Sequence, residues 1–450
     1  MDKRGSAALT SVFSAAGLAI VVGGVLLVDW PKANALPSFA RQTGQQCAAC
    51  HNGFPELTPY GREFKLNGYT FGGGNAAQLG HFAGMVLGSY TNTQAGQTGG
   101  AAQHFGPNGN FAVDQASLFY GGAITSHLGV FSQATYDGVA RQFHWDNVDI
   151  RYARPVSLFG SETILGVTVN NNPSAQDVWN TTPAWGYPYV ASALAPGPAA
   201  GTMIEGGFGQ LVAGVTAYAY WNRLVYIEVG GYKTLSNGPQ CALGVGCAGT
   251  NNAIRGIAPY WRAALQHDWS RHSIEAGVFG MAASIIPGQI YGFGEDHVTD
   301  VGFDAQYQYL SDRNSFSTQV SEILENQNLS ATTNPGIGGA ANGHNKVRDF
   351  HIKATYYRDQ TYGASVAIMR LDGTPDPVLY PTGALTGSPN STGVTTELTY
   401  IPFNHGGPGW WPWLNVKFGA QYTFYPEFNG QTGNAATRNN TLYLYSWLAF

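Results

Sequence analysis

The chain has little charge and no long apolar run beyond its N-terminal region. Asp, Glu, Lys and Arg make up 11% of its 450 residues, whereas soluble domains carry about a quarter. Because no later run of about 18 apolar residues occurs, the sequence predicts no internal transmembrane helix. The formal net charge of −5 indicates neither nucleic acid nor anionic lipid as a partner. No phosphate loop or Ser/His/Asp arrangement stands out, so nothing points to a nucleotide enzyme or a hydrolase.

Glycine and aromatic residues are abundant, and they occur in segments that alternate apolar with polar residues. The chain has 60 Gly and 13% aromatic residues, which suits a transmembrane β-barrel, whose strands are apolar on one face only. Near residue 300, for example, Val301 and Phe303 alternate with Gly302 and Asp304. About sixteen such segments recur, starting near residues 81, 110, 128, 143, 161, 207, 224, 258, 272, 299, 314, 346, 361, 395, 413 and 440.

The connections between these segments decide between a membrane barrel and a soluble β-sandwich. Tight turns, such as Thr125-Ser126 and Asn222-Arg223, alternate with long connections. Short periplasmic turns and long outer loops are typical of outer-membrane barrels. The last segment ends in Phe450 on the face of Leu444 and Leu448, which resembles the assembly signal of bacterial outer-membrane proteins. We therefore predict an all-β fold, an antiparallel outer-membrane barrel of about sixteen strands formed by residues 80–450.

Residues 1–35 have the pattern of an export signal. Asp2-Lys3-Arg4 precedes an uncharged apolar stretch that ends at Val28, and Ala33-Asn34-Ala35 fits an A-x-A cleavage site. Cleavage there would start the mature chain at Leu36. An uncleaved inner-membrane anchor is the alternative, and either interpretation places the remaining chain outside the cytoplasm.

The run Cys47-Ala48-Ala49-Cys50-His51 is the attachment signal of a c-type haem. Two thiols add to the haem vinyl groups, and His51 is placed as the proximal axial ligand of the iron. The motif therefore predicts one covalently bound haem c. A dithiol redox pair would need a βαβ context, and a zinc site would need a second ligand pair. The remaining cysteines, Cys241 and Cys247, are expected to form a local disulfide in an oxidising compartment.

The segment after the motif predicts one short helix beside the haem. Thr58 and Pro59 suit the N-cap and first helical position, and Gly68 suits the C-terminal stop. A domain of residues 36–79 is too short to bury a core of its own, so the haem is expected to be that core. The side chains expected to pack against it are Phe54, Leu57, Tyr60, Phe64 and Tyr69.

The sixth iron ligand is expected at the start of the first strand. Met85 is the favoured candidate because Met/His ligation raises the haem potential, and His81 or His104 are the alternatives. Met85 could also be ordinary packing in the lumen. The sequence leaves the choice between these residues open.

Further polar groups are expected in the outer loops and the lumen. Glu295-Asp296-His297 combines carboxylates with an imidazole, a ligand set suited to a first-row metal ion, although a charged loop can also be merely solvated. The loop of residues 170–206 carries Trp179 and Trp185, so we expect it to fold into or over the barrel mouth. Charges expected to face a water-filled lumen are Asp149, Arg151, Glu228, Asp304 and Lys353.

Together these residues resemble the fused cytochrome–porins, single chains that join a small monohaem c domain to an outer-membrane barrel. Their best-known members are outer-membrane iron oxidases. The matching stretches are Leu36 to Gly44, Phe54 to Tyr69 and Asn171 to Tyr189.

The resemblance implies that extracellular iron(II) is oxidised and that the electron passes through the haem to a periplasmic carrier, a c-type cytochrome or a copper protein. The haem domain would plug the lumen or lie at its periplasmic side. The alternative is a diffusion porin whose haem domain gates or plugs the pore. Outer-membrane lipid is a partner under both hypotheses.

The attachment motif generates the first prediction. A protein with both Cys47→Ala and Cys50→Ala should still form a barrel but lack covalent haem, because no thiol remains to make a thioether bond. Haem staining after denaturing electrophoresis measures this. Stain retained by the double variant would contradict the assignment of the motif.

Overall fold

A computed structural model describes residues 37–71, 78–246, 249–381 and 387–450. In these ranges, sixteen long strands form one closed antiparallel sheet. The first strand, β1 (Phe82–Thr93), pairs with both β2 (Asn110–Ala123) and the last strand, β18 (Thr441–Ala449), which closes the barrel. The predicted barrel is thereby confirmed. The predicted signal peptide, residues 1–35, lies outside the described residues.

The other barrel strands follow in chain order, each paired with its sequence neighbours. They are β3 (Leu128–Asp137), β4 (Gln142–Leu158), β5 (Ser161–Asn170), β6 (Val212–Trp221), β7 (Val225–Thr234), β9 (Ala258–Trp269), β10 (His272–Ile286), β11 (Asp296–Leu310), β12 (Asn314–Asn328), β13 (His344–Arg358), β14 (Tyr362–Gly373), β15 (Ser391–Tyr400) and β16 (Asn415–Phe428). The two-residue strands β8 (Ala253–Ile254) and β17 (Gln431–Thr432) extend loops. The predicted starts fall within a few residues of these, and β6 deviates most because the residues before Val212 still belong to a long loop.

The two ends of the barrel differ in their connections. Short turns such as Phe159-Gly160 lie at one end, and the long loops lie mostly at the other. Both the chain that enters β1 and the C-terminal Phe450 lie at the short-turn end, which is the periplasmic end of such barrels. One longer connection, residues 401–414, also lies at this end.

The outward face of the strands is apolar and exposed. Val229 on β7, Leu265 on β9 and Leu398 on β15 are 58%, 58% and 67% exposed, and their strand neighbours on the inner face are buried. Exposure of this much apolar side chain would be unfavourable in water, whereas it is favourable against hydrocarbon. The chain is therefore a porin-like barrel of the bacterial outer membrane.

The inward face is polar and well filled. The five charges expected in the lumen are all buried there, and Arg151 and Asp149 form an ion pair at 2.8 Å. The expected water-filled lumen is only partly observed, because two segments occupy much of it. One is residues 37–71, the plug segment, and the other is residues 171–211, the inward loop. The prediction that this loop folds into the barrel is confirmed by Trp179, which is fully buried.

The helices are short and lie mainly in these inner segments and in loops. They are α1 (Pro37–Thr43), α2 (Cys47–Cys50), α3 (Pro59–Leu66), α4 (Asn237–Ala242) and α5 (Asn434–Thr437), with 3₁₀ turns at Gln78–His81, Pro183–Trp185 and Pro287–Gln289 and a π turn at Met203–Gly207. Thr58 is the N-cap of α3, and its side-chain oxygen accepts a hydrogen bond from the Gly61 amide, as the sequence predicted. In the described ranges, no helix is long and apolar enough to cross a membrane.

The lipid-facing surface generates the second prediction. Val229→Lys should lower the free energy of unfolding by about 2–4 kcal/mol, because it places an ammonium group in the middle of the apolar band. Urea titration of the barrel folded into lipid vesicles measures this. Phe159→Lys, in a turn where the side chain is 95% exposed, is the matched control and should change stability by less than about 1 kcal/mol. Equal effects of the two lysines would contradict the assigned membrane face.

Candidate functional site

The plug segment lies in the lumen at the periplasmic end, where a buried ion pair ties it to the barrel wall. Glu56 is 1% exposed, and its Oε2 accepts hydrogen bonds from Lys353 Nζ on β13 at 2.7 Å and from Ser317 Oγ on β12 at 2.9 Å. Burial alone would raise the pKa of Glu56, but the Lys353 ammonium and the hydrogen bonds outweigh it and lower the pKa. The carboxylate therefore stays charged and holds the segment in place.

Two basic residues of α3 anchor the plug segment elsewhere. Arg62 donates to Ser273 Oγ on β10 at 2.8 Å and to Gln308 Oε1 on β11 at 2.9 Å. Lys65 Nζ donates to the carbonyl oxygens of Ala175 at 2.8 Å and Asp177 at 2.7 Å, both in the inward loop. The segment is therefore bonded both to the barrel wall and to the inward loop.

The Cys47–His51 motif has a defined local structure. Helix α2 is one turn long, so the cysteines, three residues apart, lie on one face. Thr58 fixes the following chain against the motif, because its amide donates to the Cys50 carbonyl at 2.9 Å and its hydroxyl donates to the Ala49 carbonyl at 2.6 Å. The motif and the start of α3 thus form one unit.

A hydrogen bond fixes the orientation and the tautomer of the His51 ring. Its Nδ1 lies 2.8 Å from the carbonyl oxygen of Pro55. Since a carbonyl only accepts, Nδ1 carries the proton, which leaves Nε2 with a free lone pair. Burial lowers the pKa of His51 to about 4, so the ring is neutral near neutral pH. A neutral imidazole with a fixed tautomer is the metal-binding form.

The surroundings of the two cysteines differ from those of a reactive dithiol and of a zinc site. Cys47 is 1% exposed, and its Sγ accepts a hydrogen bond from Asn415 at 3.1 Å. Burial raises the pKa of the Cys50 thiol to about 11, which is opposite to the lowered value of a reactive dithiol. Among the described residues, neither cysteine belongs to a group of three side chains placed to hold a metal ion. Within the described part of the chain, a zinc site at this motif therefore lacks its second ligand pair.

A cavity of about 460 Å³ opens beside the motif, and we name it the periplasmic cavity. Cys47, Cys50 and His51 line it together with Met85 of β1 and Trp447 of β18. Cofactor sites usually have volumes of roughly 300–1,000 Å³ and mainly apolar walls. Two thiols, an oriented imidazole and this apolar space are the features that a covalent haem requires, so the residues fit the group.

The side chains expected to pack against the haem differ in whether they line this cavity. Phe54, Leu57, Phe64 and Tyr69 all line the periplasmic cavity. Tyr60 lies outside the lining and is 37% exposed, with its ring near Phe71. Tyr60 lies four residues before Phe64 but is not among the residues that line this cavity, so its packing against the haem stays a prediction without support from the cavity.

The three candidates for the sixth ligand differ in their position relative to the periplasmic cavity. Met85 is 6% exposed and lines the cavity that contains His51. His81 lies in the 3₁₀ turn before β1, outside the lining, with its ring stacked on Tyr120 at 5.4 Å. His104 is exposed in the long loop after β1. Of the three candidates, Met85 is the one that lines this cavity together with His51, and the identity of the sixth ligand stays a prediction.

The expected outer metal site at Glu295-Asp296-His297 does not form. Glu295 pairs with Arg255, and Asp296 is turned inward to accept hydrogen bonds from the Ala331 and Thr332 amides. His297 points to the opposite face of β11, as the alternation of a strand requires. Of the expected disulfide, Cys241 is disulfide-bonded, and Cys247 lies outside the described residues.

A second cavity, of about 400 Å³, lies nearer the outer end, and we name it the outer cavity. The inward loop separates it from the periplasmic cavity, since Asn180, Pro183, Gly186 and Pro188 contribute to both linings. Sequence reasoning missed this cavity and the anchoring pair Glu56–Lys353. The only signal in the sequence was an isolated acidic residue in the plug segment and a basic one on a lumen face.

Comparison with known proteins supplies no family for the chain. Neither a protein-family model nor a curated protein matches its sequence. The solved structures to which it is similar include the Comamonas acidovorans anion-selective porin (10% identity, 82% of this chain and 98% of that chain, TM-score 0.45). The outer-membrane channel DcaP of Acinetobacter baumannii is 12% identical over 82% of this chain and 96% of that chain, with a TM-score of 0.44. Outer-membrane expressed OmpT of Vibrio cholerae is 10% identical over 82% of this chain and 97% of that chain, with a TM-score of 0.41. At these TM-scores we draw no argument from the likenesses.

The cavity lining generates the third prediction. Met85→Ala should remove the weak sulfur-to-iron absorption at the red end of the oxidised spectrum and lower the haem potential, because water or histidine would replace the thioether. Optical titration measures both changes. His81→Ala and His104→Ala are the controls and should leave both unchanged. Unchanged properties in Met85→Ala, with changes in a histidine variant, would contradict the assignment.

Proposed function

We propose that this chain is an outer-membrane electron-transfer protein of the cytochrome–porin type. The observation that carries the proposal is the His51 ring, which is neutral, hydrogen-bonded at Nδ1 to Pro55, and directed into an apolar cavity that both motif cysteines line. One covalent haem c would supply one-electron redox chemistry there when bound. The fused architecture would then combine a redox site with a membrane-spanning barrel.

Each residue of the site has a role in this proposal. Cys47 and Cys50 would hold the haem through thioether bonds, and His51 and Met85 would bind its iron. Phe64 and Trp447 line the cavity and would shield the haem from water, which favours a higher reduction potential. Glu56 keeps the cavity in the lumen by its contact with Lys353.

The position of the cavity gives the proposed direction of transfer. It lies at the periplasmic end, among the first residues of β1 and the last residues of β18, where a soluble one-electron carrier can approach. That carrier is proposed to be a c-type cytochrome or a copper protein. We propose that the donor is extracellular iron(II). Each iron(II) oxidised to iron(III) gives up one electron, and the carrier receives that electron.

A diffusion porin with a haem-bearing plug is the second candidate function. The closed porin-like barrel of sixteen strands favours it, since barrels of this size can enclose an aqueous channel. The plug segment and the inward loop favour electron transfer instead. Buried hydrogen bonds hold both segments inside the lumen, where they occupy space that a diffusing solute would need. The two functions differ in what crosses the barrel.

The fourth prediction separates these functions. Purified holoprotein in detergent should accept one electron per chain from iron(II), seen as growth of the haem α band. The same protein in liposomes should show little swelling in small sugars. The Cys47→Ala and Cys50→Ala double variant is the control for non-specific absorbance changes. No reduction by iron(II), together with rapid sugar flux, would contradict electron transfer and favour the porin.

A further inference from the structure

Three side chains with metal-binding atoms converge in the outer cavity. They are Glu205 of the inward loop and Asp349 and His351 of β13, and their ligand atoms all lie within 4.8 Å of one another. His351 Nε2 lies 2.9 Å from Asp349 Oδ1 and 3.6 Å from Glu205 Oε1. We propose that these three residues bind a divalent first-row metal ion.

The fold positions each of the three residues. Asp349 and His351 are two apart on one strand, so both point into the lumen. Glu205 is presented by a loop segment whose preceding amides are bound to two strands. The Met203 amide donates to Glu325 on β12 at 2.5 Å, and the Ile204 amide donates to Asp300 Oδ2 on β11 at 2.8 Å. The position of Glu205 is thereby fixed opposite β13.

A second observation points to a ligand at this place. Asp349 is 2% exposed, and among the described residues its Oδ1 has no hydrogen bond of good geometry, although His351 Nε2 is close to it. The imidazole of His351, itself a member of the cluster, lies 2.9 Å from this buried oxygen. A cation coordinated by both side chains would give the carboxylate oxygen a ligand of good geometry. Among the described residues that line the outer cavity, Lys353 is the one Lys or Arg, and it is bonded to Glu56. It therefore does not neutralise the two acids.

The donor set selects the class of ion. Two carboxylates and one imidazole suit first-row divalent ions, whereas Ca²⁺ takes 6–8 oxygen ligands. Three protein ligands leave coordination positions for water, and the cavity has room for it. The Glu205 side chain is more than a third exposed and lines the outer cavity, so an ion inside the cavity can reach it.

The location of the site connects it to the periplasmic cavity. Tyr187 lines the outer cavity and Tyr189 lines the periplasmic cavity, with their ring centroids 5.6 Å apart. Aromatic rings therefore lie between the proposed ion and the attachment motif. That the ion bound in the cell is the electron donor rests on the proposed function. The binding of a divalent ion at Glu205, Asp349 and His351 does not.

Metal binding by the holoprotein tests the site without using activity. Isothermal titration with Co²⁺ alone should show one site per chain, weaker binding of Mn²⁺ and little binding of Ca²⁺. Glu205→Gln and His351→Gln, made separately, should each weaken Co²⁺ binding about tenfold or more, since each removes a ligand. Glu205 is the safer variant because it is in a loop and partly exposed. The matched control is Glu295→Gln with His297→Gln, an acid and a histidine that do not converge, and it should bind Co²⁺ as the unmodified protein does.

The outcomes separate the site from the proposed function. Absence of Co²⁺ binding, or equal binding by the Glu205→Gln, His351→Gln and control proteins, would overturn the site. Haem reduction by iron(II) that persists at full rate in both ligand variants, with Co²⁺ binding lost, would keep the site and overturn its assignment to the donor. Co²⁺ binding at the site without any haem reduction by iron(II) would support the site while contradicting the proposed function.

Discussion

The ion pair between Glu56 and Lys353 is the interaction on which the rest of the arrangement depends. It joins the plug segment to the barrel wall in a region where both side chains are almost fully buried. Breaking a buried pair by removing one partner costs about 3–5 kcal/mol, because the other charge is left uncompensated. Lys353 also lies on the same strand face as His351, about 7 Å away at the usual rise per residue. Strand β13 thus carries both the anchor of the plug segment and two of the three proposed metal ligands, Asp349 and His351.

The low charge of the chain is explained by where its charges lie. Lumen charges occur in small groups of opposite sign, as in Arg262, which contacts Glu275 at 3.2 Å and Asp304 at 2.5 Å. The outward face has almost no place for charge because it contacts hydrocarbon. A lumen filled by two inner segments differs from that of an open channel. The plug segment and the inward loop bond to each other as well as to the strands, through Lys65 and the Ala175 carbonyl.

The barrel could be predicted from the sequence because strand alternation and turn length are local properties. The starts of β2, β3 and β9 were predicted to the residue, and the Thr58 cap of α3 was also found, since each depends on adjacent residues alone. The individual long-range contacts of the inner segments were not predicted. The group of Glu205, Asp349 and His351 depends on how the inward loop meets β13, and no sequence spacing encodes that meeting. The metal site expected at Glu295-Asp296-His297 was wrong for the opposite reason. These residues are adjacent in sequence, but consecutive side chains of a strand point to opposite faces.

The central claim is that an electron, and not a solute, crosses this barrel. Proteoliposomes that contain the holoprotein and enclose an oxidised c-type cytochrome test it most directly when iron(II) is added outside. The account predicts that the enclosed cytochrome is reduced by one electron for each iron(II) oxidised, while all iron remains outside. An enclosed cytochrome that stays oxidised, or that is reduced only as iron enters the vesicles, would contradict it.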